Sequence, residues 1–189
     1  MSTIFVLLGL SNSGKDTAAG FMLADNIKFS AMMKRTLEKW YGLNEGDLDN
    51  KFVRSQIVPG ESFTYLDVMV RAYHAWQAID DKLTVRPTTK QIRQSLEAGR
   101  DVVLTDIRKE VEVEAVRELS KEGHNVVLVH IFGRQGEQRL SSDAKLEELF
   151  EELRHFANDV IGLQNNGDID HLVDEMMFHG LIPRFSLTT

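Results

Sequence analysis

The stretch Gly9-Leu-Ser-Asn-Ser-Gly-Lys15 has the spacing G-x-x-x-x-G-K. Glycine tolerates backbone angles that turn successive N–H groups inward, so such a stretch folds into a nest for an anion. Gly9, Ser11, Asn12, Ser13 and Gly14 line the nest. Lys15 can reach the outer phosphates of a nucleotide and follow the charge that develops there. The motif needs a buried strand before it and a helix after it. The apolar run Ile4–Leu8 and the stretch after Lys15 provide both, and the helix start adds its positive end.

The next residue departs from the usual loop. Asp16 stands where a Ser or Thr hydroxyl ordinarily binds Mg²⁺. Either the Asp16 carboxylate takes the metal, directly or through water, or Thr17 supplies a hydroxyl from the following position.

A second constellation is Leu104-Thr-Asp-Ile-Arg108 with Glu112 beyond it. Asp106 closes an apolar strand, and ligands of open α/β sheets gather at the carboxyl ends of strands. Asp106 there can orient Mg²⁺ or its water, or act as base toward an acceptor. Arg108 can hold a phosphate or pair with Asp106. Glu112, four residues on, can steady that arginine. The competing reading makes Asp106 a helix cap beside a surface ion pair.

Phosphoryl transfer also needs cations around a loose transition state. Lys34, Arg71, Arg86 and Arg134 are the candidates, with Arg54 and Arg93 behind them. Arg134 falls in a Gly- and Gln-containing segment after a Val-rich strand. Tyr73 and Trp76 share a helix with Arg71 and read as core residues more than as base platforms. Six histidines show no metal-ligand spacing. No nucleophile elbow accompanies a Ser-His-Asp order.

The elements that must position these residues follow from periodicity. Strands are expected at Ile4–Leu8, Ile27–Phe29, Asp101–Asp106, Asn125–Phe132 and Asp159–Leu163. Helices are expected at 17–23, from Ser30 to about Trp40, 62–79, 88–98, 110–122, 142–156 and 169–177, with Gly42–Gly60 as loop. Strand–helix alternation predicts a parallel sheet with right-handed crossovers. The expected fold is a three-layer α/β/α domain with a five-stranded, mostly parallel sheet. Residues 1–189 form one domain, with 42–100 as a helical insertion.

Charge and composition narrow the partners. The net charge is −7, yet residues 27–109 carry 14 Lys/Arg against 11 Asp/Glu and residues 110–189 carry 7 against 16. No dense basic stripe marks a nucleic-acid binder, so a small phosphorylated ligand fits better. Cysteine is absent, no apolar run has membrane-spanning length, and no secretory leader precedes Ile4. The expected location is the cytoplasm, and a homodimer stays open.

Taken in order, Gly9–Lys15 with Asp16-Thr17, Lys34 in the helix after Phe29-Ser-Ala, Asp106-Ile-Arg108 with Glu112, and Asn165-Asn-Gly167 before an acidic helix resemble the deoxynucleoside monophosphate kinases of bacteriophages. These are a branch of the nucleoside monophosphate kinase-like P-loop proteins, and the motifs span most of the chain. The G-K-D-T loop is the most specific element, though a few other small-molecule kinases share it. The resemblance implies transfer of the ATP γ-phosphoryl group to a deoxynucleoside 5′-monophosphate, in the host cytoplasm if the protein is phage-encoded. Mg²⁺ would bridge the donor phosphates, and the loop, with Arg134 in a lid or adenine loop, would hold ATP. Asp106, Arg108 and Glu112 would line the acceptor side, with Lys34, Arg71 and Arg86 as further acceptor cations. Over 42–100 the chain is shorter and more diverged than the family pattern. Two other classes therefore stand beside this one: a P-loop kinase of another acceptor, of the dephospho-coenzyme A or phosphomevalonate type, and a nucleotide-binding module without catalysis.

Overall fold

The computed structural model describes residues 2–133 and 145–183. Five strands form one sheet: β1 (Thr3–Leu8), β2 (Asp25–Ile27), β3 (Val102–Leu104), β4 (Asn125–Phe132) and β5 (Asp159–Gln164). Their order is β2-β3-β1-β4-β5, and every neighbouring pair is parallel. The sheet is thus wholly parallel where the sequence suggested mostly parallel.

Parallel strands are joined by crossovers, so both faces of the sheet are covered and its strands read as apolar runs. One face sets Leu7, Val103, Val127, Val129, Ile131 and Leu163 against α1 (Lys15–Phe21) and α8 (Ile169–Phe178) through Ala18, Ala19, Met22, Leu172 and Met176. The alternate residues Ile4, Val6, Leu8, Val102, Leu104, Val126 and Leu128 are also buried. On α6 (Glu110–Lys121) and α7 (Leu146–Arg154) the buried faces are Val113, Val116 and Leu119, and Leu146, Leu149 and Leu153. These layers build the three-layer α/β fold. On α7, Glu147, Glu148 and Glu151 lie exposed, the solvated face that the acidic run suggested.

The chain divides into two compact units: 1–28 with 90–189, and Phe29–Thr89. The second is helical and is shifted from the expected 42–100 stretch: it begins earlier, taking in α2 (Ala31–Tyr41), and ends at Thr89, leaving 90–100 to the first unit. The expected loop 42–60 folds further than the sequence suggested. It carries a 3₁₀ turn at Asp47–Asp49 and α3 (Lys51–Ser55), whose Asn50 cap accepts the Phe52 N–H. Two bonds explain why a polar segment orders: Glu38 of α2, itself buried, accepts the N–H groups of Gly46 and Leu48. Helix α4 (Tyr65–Ile79) starts at a capping box, in which Thr64 and Asp67 exchange side-chain and backbone bonds. Met33, Leu37, Leu48, Val58, Tyr65, Val68 and Met69 make this unit's core, with Tyr73 and Trp76 packed against it as expected. Helix α5 (Val85–Glu97) contains Pro87 in its first turn, where no intrahelical N–H is needed.

Candidate phosphate-binding site

A parallel sheet places all strand ends of one kind along one edge. At the carboxyl edge of this sheet the chain leaves β1 into Gly9–Lys15, β2 into Lys28, β3 into Thr105 and Asp106, and β5 into Asn165. Residues far apart in sequence therefore meet around the loop.

Two glycines make the loop possible. A Cβ at Gly9 would run into the carbonyl oxygen of Ile131 on β4, and one at Gly14 into the side-chain nitrogen of Asn165. Gly14 also has φ of 102°, a conformation that L side chains avoid. Asn12, with φ of 69°, is the one non-glycine residue at positive φ among the described residues, and asparagine tolerates that region best. Lys15 is only 8% exposed. Its ammonium donates to the carbonyls of Gly9 at 2.7 Å and Leu10 at 2.8 Å, and to Ser13 Oγ at 3.4 Å. Those acceptors offset the cost of burying the charge and hold it over the loop, beside the nest it would serve.

Asn165 carries no role that its sequence context specifies. It is 3% exposed. Its Nδ2 donates to the Ser13 carbonyl at 2.7 Å, and its Oδ1 accepts the Gly167 N–H at 2.9 Å. A trans peptide sets its C=O and N–H in opposite directions, so fixing the Ser13 carbonyl on Asn165 turns the Gly14 N–H away from it. The β5–α8 turn thereby orients the loop. A polar doublet before a glycine was the available signal in the sequence; the partner was not.

Asp16 and Thr17 are exposed at the start of α1. Asp16 Oδ1 accepts the Thr105 hydroxyl at 2.9 Å and pairs with Lys28 Nζ at 2.9 Å. Burial would raise this carboxyl, but Lys28, Thr105 and Lys15 outweigh it and hold Asp16 below the ordinary carboxylate range. Neither Lys28 nor Thr105 was singled out from sequence.

Asp106 and Arg108 are half-buried in the turn between β3 and α6. Glu112 is 4% exposed, and its Oε2 accepts the backbone N–H of Arg108 at 2.7 Å and of Lys109 at 3.1 Å. The expected steadying of Arg108 thus runs through its backbone. Burial, with the Asp106 charge adding to it, pushes the Glu112 carboxyl up to about 8.

The cations expected on the acceptor side, Lys34, Arg71 and Arg86, belong to the second unit. Lys34 pairs with Asp49 at 2.6 Å, Arg86 pairs with Asp80 at 2.5 Å, and the Arg71 guanidinium lies 4.8 Å from the centre of the Phe63 ring. Arg93, in the first unit, holds Glu122 through two bonds. Arg134 lies outside the described residues.

Among the described residues no group of three or more His, Cys, Asp or Glu could hold a metal by itself. The oxygen donors Asp16, Thr17 and Asp106 do fit Mg²⁺, which keeps several waters and leans on substrate phosphates rather than on an all-protein cage. No described helix is long and apolar enough to cross a membrane.

No family model and no curated protein matches the chain. Among solved structures it is similar to an unliganded sugar kinase from Janibacter sp. HTCC2649, at 13% identity over 94% of each chain and a TM-score of 0.42. A likeness this distant says nothing of what the chain acts on.

Proposed function

We propose that the chain is a P-loop phosphotransferase of the nucleoside monophosphate kinase kind, moving the γ-phosphoryl group of ATP to a deoxynucleoside 5′-monophosphate. The observation that carries this reading is the shared sheet edge: the Lys15 loop leaves β1 where Asp106 follows the neighbouring β3. Donor-phosphate cradle and carboxylate are thus supplied by adjacent strands at one sheet edge, where a carboxylate can act on a phosphoryl group held by the loop.

In this reading the loop amides bind the β- and γ-phosphates. Lys15 exchanges the Gly9 and Leu10 carbonyls for phosphate oxygens, which carry more charge and bind it more strongly. Asp106 orients the acceptor oxygen or accepts its proton, and Arg108 holds phosphate beside it. Lys34, Arg71 and Arg86 carry the acceptor's own phosphate. Bound Mg²⁺ supplies charge neutralisation across the transferring group, with Asp16 and Asp106 as the residues that would hold it and Thr17 as the alternative to Asp16.

An ADP-release assay over the four deoxynucleoside monophosphates tests the reading, with dephospho-coenzyme A and phosphomevalonate as controls. ADP formation that depends on a deoxynucleoside monophosphate is expected. Turnover with a control acceptor alone would move the substrate class. Silence with every acceptor, together with tight ATP binding, would make the chain a nucleotide-binding module.

A further inference from the structure

We infer that Lys28 is a positioning residue of the phosphate-binding loop, compensating the carboxylate that this chain carries at Asp16. The inference rests on the reading of Gly9–Lys15 as a nucleotide-phosphate site.

Asp16 poses an electrostatic difficulty. It directly follows the lysine that must attract phosphate, and its charge cancels that lysine's at the mouth of the loop. A hydroxyl at this position would leave the Lys15 charge whole. Mg²⁺, where bound, would offset the carboxylate's charge; without it, the carboxylate and the phosphates would repel.

Lys28 restores the balance by its place in the sheet. Ile27 of β2 pairs in register with Leu104 of β3, so the residues that follow, Lys28 and Thr105, emerge side by side at the carboxyl edge. Both reach the same oxygen, Asp16 Oδ1, each at 2.9 Å. Two donors from two strands draw that oxygen toward the β2–β3 side. Lys28 keeps 23% of its side chain exposed, against 72% for Asp16. Much of the lysine is thus packed, and the carboxylate stays open to solvent. Lys15, Asp16 and Lys28 together carry one net positive charge, the charge of a loop in which a hydroxyl follows the lysine.

Two other roles for Lys28 make different demands. A plain surface ion pair would leave nucleotide affinity untouched. A direct phosphate ligand would be missed equally whether residue 16 is charged or neutral. Compensation alone makes the effect of removing Lys28 depend on the charge of Asp16.

The test is ATP binding by titration calorimetry in EDTA, with the full chain as wild type, Lys28→Met, Lys28→Arg, Asp16→Asn and the double variant Lys28→Met/Asp16→Asn, and thermal unfolding of each as a check on folding. Asn keeps the oxygen that Thr105 bonds. Lys28→Met should weaken ATP binding about tenfold, the size expected for one uncompensated charge at the loop mouth. Lys28→Arg should restore it to within about threefold, and the double variant should bind within about twofold of Asp16→Asn. Unchanged affinity in Lys28→Met would overturn the inference, as would an equal loss in the Asp16→Asn background. Absence of ATP binding by the wild-type chain is a distinct result, which sinks the proposed function and this inference with it.

Discussion

Lys15 and Lys34 are both lysines that the sequence marks for phosphate, and the fold holds them in opposite ways. Lys15 is buried over a loop whose backbone carbonyls accept its protons. Lys34 bonds one side-chain carboxylate, Asp49, in the second unit. The contrast extends to their surroundings. Around the loop, Glu112 and Asn165 are buried and bond main-chain groups, so their positions are dictated by the path of the chain. In the second unit, Arg86 meets the side chain of Asp80, and Arg71 meets an aromatic face. Partners supplied by the main chain move only with the fold, whereas partners supplied by side chains can turn independently of it. The groups of the first region are thus fixed by the path of the chain, and the cations of the second are held by side chains alone.

Four experiments can break or sharpen this contrast. The largest effect is expected from Lys15→Met, which should lower turnover by about 10²-fold or more, as loss of a charged transition-state donor does. Retained turnover would contradict the assignment of the loop. Asn165→Ala should follow. It leaves the Ser13 carbonyl without its buried donor, at about 1–3 kcal/mol of stability, and frees the Ser13–Gly14 peptide to turn. ATP affinity should fall more than that of an equally destabilised core variant, such as Val116→Ala. Equal affinities at matched stability would reduce Asn165 to a packing residue.

The third experiment concerns pH. Glu112 has a folded-state pKa of about 8, raised from 4.5. A raised carboxyl favours the neutral form in the folded state. Its stabilising contribution is therefore full below 4.5 and is lost as pH climbs through 8. Measured in EDTA, the unfolding temperature of wild type relative to Glu112→Gln should fall between pH 5 and pH 8, because Gln is neutral throughout. A flat difference would show that the carboxyl titrates normally. The smallest effect is expected from Arg86→Met. Its guanidinium is well exposed, so loss of the Asp80 pair should leave the unfolding temperature almost unchanged. If Arg86 trades Asp80 for the acceptor's phosphate, KM for that acceptor should rise while kcat changes little. A large loss of stability would place Arg86 among the fixed residues instead.

The loop was readable because its spacing encodes its own geometry: glycines at 9 and 14, then a lysine, suffice to specify a nest. Asp106 was readable because an apolar run such as Val102–Leu104 reads as strand and its end points to the ligand edge. Lys28 and Thr105 were not, since neither belongs to a local pattern. Each matters through the register of β2 against β3, and register joins residues 77 positions apart that no window along the chain compares. Asn165 sat in between, visible as a polar doublet before Gly167 but with a partner 152 residues away. The stretch 42–60 was misread as loop because its order comes from Glu38, which lies outside it.

By itself, then, the sequence determined which groups are on offer: a glycine-bounded turn, a lysine directly after it, a carboxylate at a strand end, and an aspartate where such loops usually carry a hydroxyl. These are local facts, carried by residue type and short spacing. Tertiary structure alone decided what each group faces. It set Asp16 against Lys28 and Thr105, turned Glu112 inward onto the Arg108 backbone, and fixed the Ser13 peptide on Asn165. The physical reason is that charge and hydrogen bonding act across space over a few ångströms, and only the order and register of five parallel strands bring such distant residues within that range.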